Sequence, residues 1–188
     1  MNADLPPFEA NRQRLLDLLR RLSYEQREVV LASGRPSNFY IDCKQTVLTA
    51  EGHYLAGWLI QRVIADRAPE VTAVGGLTMG ADPLASATST LSFLGGRPLD
   101  AFYVRKEPKT HGTQKWIEGE RSVPAGTRVA IVEDVVTTGG STRKAIERAR
   151  LHGLDVRHVI ALVDREEGGS QEIEKVAPLT SLFRRSEF

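Results

Sequence analysis

The chain has 188 residues, 41% hydrophobic and 26% charged, with a formal net charge of +1. That length favours one domain, and the composition supports a packed core rather than global disorder. The near-neutral balance argues against a chain-wide grip on nucleic acid or an anionic membrane, and no apolar run approaches the ~20 residues of a membrane span. The opening MNADLPPFEANR lacks a basic stretch followed by an apolar one, so no signal peptide is expected. Cys43 is the only cysteine, which excludes an intramolecular disulfide and a cysteine-based zinc site. A cytoplasmic protein fits these facts.

Between residues 12 and 22, Leu15, Leu16, Leu18, Leu19 and Leu22 make an apolar stripe that predicts a helix. Residues 33–38 have loop chemistry, and 39–41 read as a strand. Thr49 can cap a second helix with Leu55, Trp58, Leu59 and Val63 on one face. Residues 71–74 predict a strand ending at Gly75 and Gly76, 81–91 a helix, and 101–104 a further strand. The polar stretch 105–127 exceeds the ~12–15 residues of a routine connection, and such loops are usually functional or disordered. A fully apolar strand at 129–132, a helix at 142–151 and a strand at 156–163 follow, and 173–183 close the pattern.

This alternation predicts an α/β fold with a mainly parallel sheet covered on both faces, and ligands bind such sheets outside the carboxyl ends of the strands. The four strand exits are Gly75-Gly76, Arg105-Lys106, Glu133-Asp134 and Asp164-Arg165. Each is charged or glycine-rich, which points to one shared site.

The sharpest motif is the strand 129–132 running into Glu133-Asp134-Val135-Val136-Thr137-Thr138-Gly139-Gly140-Ser141. Three hydroxyls, two glycines and the start of a helix suit a phosphate, because the helix offers unpaired N–H groups and a positive dipole end. Two carboxylates beside a phosphate make sense when the ligand also carries hydroxyls or a divalent metal. The combination resembles the 5-phosphoribosyl 1-pyrophosphate (PRPP) signature of type I phosphoribosyltransferases. In that family Glu133 and Asp134 would hold the ribose hydroxyls, and the turn would cradle the 5′-phosphate. No GxxxxGK[ST] loop is present.

The polar stretch opens with Arg105-Lys106-Glu107-Pro108-Lys109-Thr110-His111-Gly112. From 105 to 115 four basic residues stand against one acid, a local charge of +3. Cations there can neutralise an anionic leaving group, His111 can donate a proton near neutral pH, and Gly112 can act as a hinge. The segment is similar to the mobile catalytic loop of the orotate phosphoribosyltransferase family, and Ile117-Glu118-Gly119 matches the usual loop exit. The resemblance implies that Arg105, Lys109 and His111 reach into a partner subunit's site, that Lys106 serves its own, and that the chain is a homodimer.

Three further segments carry the same resemblance. Residues 31–42 look like the family's N-terminal S-G-x-x-S-x-[FY]-[FY] segment, although Ala32 stands where many members have a lysine, a role left to Arg35 or Lys44. Residues 76–85 resemble the pyrophosphate loop, with Thr78, Met79 and Gly80 at its centre and Gly80 again replacing a familiar lysine. Asp82 would help orient pyrophosphate or its metal through water. Asp164-Arg165-Glu166-Glu167-Gly168-Gly169 matches D-R-x-E-x-G, which implies that Arg165 pairs with the orotate carboxylate, with Thr137 also touching orotate. Cys43, His53, His152 and His158 read as structural or surface residues.

The family implies transfer of the phosphoribosyl group of PRPP to orotate, giving orotidine 5′-monophosphate and pyrophosphate in pyrimidine biosynthesis. It implies Mg²⁺ held through substrate and water, with no direct protein ligand assigned. It also implies an open, mainly parallel sheet with helices on both faces, a small N-terminal hood at about residues 1–48 and a PRPP-binding core at about 49–183. The alternatives are a phosphoribosyltransferase for another nucleobase, a PRPP-sensing regulator without catalysis, and an inactive homologue that lacks the two lysines.

Overall fold

The structure, a computed structural model, describes residues 7–27, 29–30, 36–108 and 115–188. Helix α1 (Phe8–Leu22) carries the expected leucine stripe and buries Leu15, Leu16, Leu18 and Leu19. Four two-residue strands follow: β1 (Tyr24–Glu25), β2 (Val29–Val30), β3 (Pro36–Ser37) and β4 (Tyr40–Ile41). They pair antiparallel as β1 with β4 and β2 with β3. A short turn of helix, α2 (Lys44–Val47), leads to α3 (Ala50–Arg67). The Thr49 hydroxyl caps α3 by accepting from Gly52 N at 3.0 Å.

The rest of the chain alternates strand and helix. It comprises β5 (Ala73–Leu77), α4 (Asp82–Leu94), β6 (Asp100–Val104), β7 (Ile117–Glu118), β8 (Arg128–Val136), α5 (Gly140–Leu151), β9 (Asp155–Asp164), α6 (Gly169–Glu174) and β10 (Leu179–Arg184). A 3₁₀ turn at Arg185–Glu187 ends the chain. Among the described residues the main sheet has the order β10-β9-β8-β5-β6-β7. All its pairs are parallel except β6 with β7.

The core divides by strand alternation, since successive side chains point to opposite faces. On β8 and β9, Ala130, Val132, Ile160 and Leu162 join α1, α3 and α4 on one face. Val129, Ile131, Val159 and Ala161 pack with Ala145, Ile146 and Ala149 of α5 on the other. Arg12 ties α1 to β10, donating to Leu182 O at 3.0 Å and to Glu187 Oε1 at 2.6 Å.

The predicted strand ending before Gly75 is corrected. Gly75 and Gly76 lie inside β5, and the strand ends only at Leu77. A Cβ at Gly76 would stand 2.2 Å from Val132 O, and one at Gly75 would stand 2.2 Å from Phe102 O. The glycines therefore let neighbouring backbone crowd β5, a packing demand that sequence presents as a turn signal. Strand β8 also runs four residues beyond its expected end, carrying Glu133 and Asp134 within the sheet. The antiparallel β7 interrupts the long polar stretch, and two residues are too few to show a period.

Candidate active site

The carboxyl ends of β5, β8 and β9 lie side by side in the sheet, with β8 in the middle. From β8 the chain passes through Thr137 and Thr138 to Gly139, whose φ of +76° caps α5. An L side chain rarely adopts that backbone, so glycine is required there. Thr138, Gly140 and Ser141 are exposed, and Thr137 is half-buried. The first N–H groups of a helix have no intrahelical partner and can receive an anion.

Glu133 is 5% exposed and lies under this turn. Its Oε2 accepts from the Ser141 hydroxyl at 2.7 Å and the Thr142 hydroxyl at 2.8 Å. Ser141 was expected on phosphate; in the free protein it braces Glu133. Burial pushes the Glu133 carboxyl up to about 7, the two hydroxyls pull it back, and the Asp134 charge beside it pushes it up again. Asp134 turns its Oδ1 to its neighbour Val135 N at 2.9 Å, and its carbonyl accepts from the buried Cys43 thiol at 3.8 Å. Burial holds that thiol well above its ordinary value.

The raised Glu133 makes a stability prediction. An unfolded glutamate titrates near 4.5 and the native one near 7, so the native state binds more protons between those values. This group's contribution to stability therefore falls as pH rises from about 4.5 to about 7. Glu133→Gln removes that loss. Relative to wild type, the free variant is expected to gain on the order of 2 kcal/mol across this window. Denaturant unfolding of both proteins at pH 5 and pH 8 checks it, and equal differences at the two pH values would count against it.

The pyrophosphate-loop candidates sit at the end of β5. The peptide Thr78–Met79 is cis. Thr78 N donates to Val104 O at 2.9 Å, and the Met79 side chain is exposed. A Cβ on Gly80 would meet Asp134 Oδ1 at 2.4 Å, so this loop lies directly against the second acid. Asp82 opens α4 with a buried Oδ1 that has no hydrogen-bond partner, and burial raises its carboxyl. Asp82, Lys44, Met79 and Tyr103 line a cavity of about 360 Å³. Lys44 is held by Asp42 at 2.5 Å. A cation thus stands beside the loop, although Ala32 and Arg35 lie outside the described residues.

Arg165 follows β9. Its turn is built by Asp164, whose Oδ1 accepts from Glu166 N at 2.8 Å and whose Oδ2 accepts from the Ser170 hydroxyl at 2.6 Å. Arg165 Nη2 donates to Phe39 O at 3.1 Å and pairs with Glu167 Oε1 at 2.9 Å. Its guanidinium lies 5.6 Å from the Phe39 ring centroid. Gly169 N donates to Thr137 O at 3.0 Å, and a Cβ at Gly169 would stand 2.4 Å from that oxygen. The Arg165 turn and the hydroxyl-rich turn therefore touch backbone to backbone.

Beyond β6, Arg105 N donates to Trp116 O at 2.9 Å and Arg105 Nη1 pairs with Glu118 at 3.0 Å. Lys106 is exposed. Lys109, His111 and Gly112 lie outside the described residues.

An orotate phosphoribosyltransferase of Sorangium cellulosum is 53% identical over 180 residues, covering 95% of this chain and 93% of the relative. The chain belongs to the orotate phosphoribosyltransferase family. Solved structures of the Mycobacterium tuberculosis orotate phosphoribosyltransferase agree. One, a complex with Fe(III) dicitrate, superposes with a TM-score of 0.81 at 39% identity, covering 94% of this chain and 98% of the other. Another, a complex with PRPP, gives 0.77 at 36% identity and the same coverage. No protein-family model matches the chain. The fold is that of the type I phosphoribosyltransferases, as the strand–helix alternation and the motif led one to expect.

Within this orotate phosphoribosyltransferase framework, Gly80 lies against Asp134, and the Thr137 turn bonds the turn that follows Arg165. The backbone of Phe39 escapes a reading of local motifs, because it meets a side chain 126 residues away in sequence.

Proposed function

We propose that this chain transfers the phosphoribosyl group of PRPP to orotate, releasing pyrophosphate and forming orotidine 5′-monophosphate. The observation that carries the reading is the backbone contact between the Thr137–Ser141 turn and the Arg165 turn. It supports a reading in which a phosphate cradle, a carboxylate pair and the Arg165 guanidinium act on one pair of substrates.

In this reading the α5 N-terminus and the Thr137 and Thr138 hydroxyls take the 5′-phosphate. Glu133 and Asp134 accept from the ribose hydroxyls, and Arg165 pairs with the orotate carboxylate. Orotate N1 attacks the anomeric carbon as the bond to the pyrophosphate oxygen breaks. Positive charge grows on the ribose, facing the two carboxylates, while negative charge leaves toward the 78–80 backbone and the basic loop. Closure of that loop by Lys109, His111, Lys106 and Arg105 would exclude water from the activated ribose.

Carboxylate oxygens suit Mg²⁺, and among the described residues Asp82 Oδ1 is a buried acceptor without a partner. In this reading Mg²⁺ is held through substrate phosphates and water, with Asp82 orienting it through water. When bound, the ion would neutralise charge on the departing pyrophosphate. The proposal extends to a homodimer in the cytoplasm, with the segment before Thr49 as a hood over the site. The Phe39 carbonyl on Arg165 supports the hood. Among the described residues no helix is long and apolar enough to cross a membrane.

The test is a direct assay with PRPP and Mg²⁺, offering orotate beside uracil, hypoxanthine and adenine. Consumption of orotate alone is expected. Preference for another base would overturn the assignment of Arg165.

A further inference from the structure

We infer that Arg185, in the 3₁₀ turn after β10, is a positioning residue for Arg165: the two arginines share Glu167, and Arg185 leaves the group with the positive charge that one substrate carboxylate balances. The inference rests on the function proposed above, in which Arg165 receives orotate. Two shared partners carry it. One oxygen, Glu167 Oε1, lies 2.9 Å from Arg165 Nη2 and 3.8 Å from Arg185 Nη1. The two guanidiniums also share one ring, at 5.6 Å and 5.3 Å from the Phe39 centroid.

The turn that presents Arg185 is tied down on several sides. Ser186 N donates to Glu166 Oε2 at 3.0 Å, and Arg184 N donates to Glu187 Oε2 at 2.8 Å. Glu187 Oε1 in turn accepts from Arg12 of α1 at 2.6 Å. Phe188 N donates to Arg185 O at 3.1 Å, and the Phe188 ring meets Phe39 edge-on with centroids 5.6 Å apart. Residues 184–188 are therefore anchored on Glu166, on α1 and on Phe39, and Arg185 is held beside Glu167 by the fold.

The consequence is electrostatic. Arg165 and Glu167 alone form a neutral pair, which attracts an incoming carboxylate weakly. With Arg185 the three side chains carry a net +1, which one carboxylate cancels. Of the neighbouring acids, Asp164 is spent on Glu166 N and the Ser170 hydroxyl, and Glu166 is exposed and accepts from Ser186 N. Arg185 also removes a cost of binding. Orotate on the Arg165 fork draws on the charge that Glu167 shares in the free protein. The Glu167 side chain is only 11% exposed, and a carboxylate left there without a cation is costly. Arg185 stays as its counter-ion while Arg165 turns part of its fork to the substrate. PRPP, taken by the Thr137–Ser141 turn and the two acids in the proposed reading, does not depend on this charge.

The experiment compares wild type, Arg185→Ala and Arg185→Lys. Three readings are taken: unfolding midpoint, PRPP affinity by calorimetry without orotate, and steady-state kinetics with orotate varied at low and high salt. For Arg185→Ala, KM for orotate is expected to rise about fivefold at low salt, with kcat and PRPP affinity within about twofold. The rise should shrink at high salt, because the Arg185 side chain is 40% exposed and salt screens such a charge. Arg185→Lys keeps the charge and should restore most of the low-salt KM. Equal rises in both variants, or a rise that salt leaves unchanged, would assign Arg185 to packing on Phe39 and overturn the charge balance. A parallel loss of midpoint, PRPP affinity and kcat marks a merely structural residue and overturns it too. A wild-type chain without orotate turnover would overturn the proposed function and the positioning role with it. An active wild type beside an Arg185→Ala variant with unchanged KM for orotate overturns the role of Arg185 alone.

Discussion

Replacing Arg165 by alanine is expected to lower kcat/KM for orotate by about 10²–10³-fold, or roughly 3–4 kcal/mol, while PRPP affinity stays near wild type. The size follows from how the guanidinium is held. Its side chain and that of Glu167 are each only 11% exposed, so a substrate carboxylate meets a charge largely removed from water. The Phe39 carbonyl, the Glu167 carboxylate and the Phe39 ring fix the group before orotate arrives, and little conformational freedom is lost on binding. Alanine also leaves Glu167 with Arg185 as a more distant partner at 3.8 Å, so some loss of stability accompanies the kinetic change. Arg165→Lys separates the two effects. It keeps the charge near Glu167 but loses the fork, so it should fold like wild type and still bind orotate poorly. Steady-state kinetics with orotate varied, beside calorimetry with PRPP alone, provide the check. Wild-type orotate kinetics in both variants would remove Arg165 from the site.

The phosphate turn was legible because everything it needs is local. An apolar strand, two acids, three hydroxyls and two glycines fall within a few residues, and the backbone that joins them is the backbone that binds. Arg165 was legible as a strand-exit arginine through its motif, but its orientation was not. Phe39, just before β4, meets it across 126 residues of sequence, and no periodicity encodes that encounter. The turn motif does not show that the Ser141 hydroxyl donates to Glu133, because a buried carboxylate needs donors of its own.

Removing Lys109 and His111 together, as Lys109→Ala with His111→Ala, is expected to cut kcat by about 10³-fold or more with little change in stability. The reasoning starts at the loop base. Arg105 and Trp116 are bonded to each other, so the ten residues between them form a loop closed at its root. A mixing experiment decides whether Lys109 and His111 serve their own subunit or a partner. Loop-deficient subunits are combined with Arg165→Ala subunits at equal amounts and allowed to exchange. If loops act across subunits, each mixed dimer owns one complete site, and about a quarter of wild-type activity returns. If each loop serves its own subunit, no complete site exists in any dimer and activity stays at the level of the separate variants. Arg105 bears on the same choice. Its side chain pairs with Glu118 at the root, so a role in a partner's site requires that pair to open as the loop closes. Glu118→Gln in the mixed dimers should then raise the recovered activity, and a fall would place Arg105 at the root throughout.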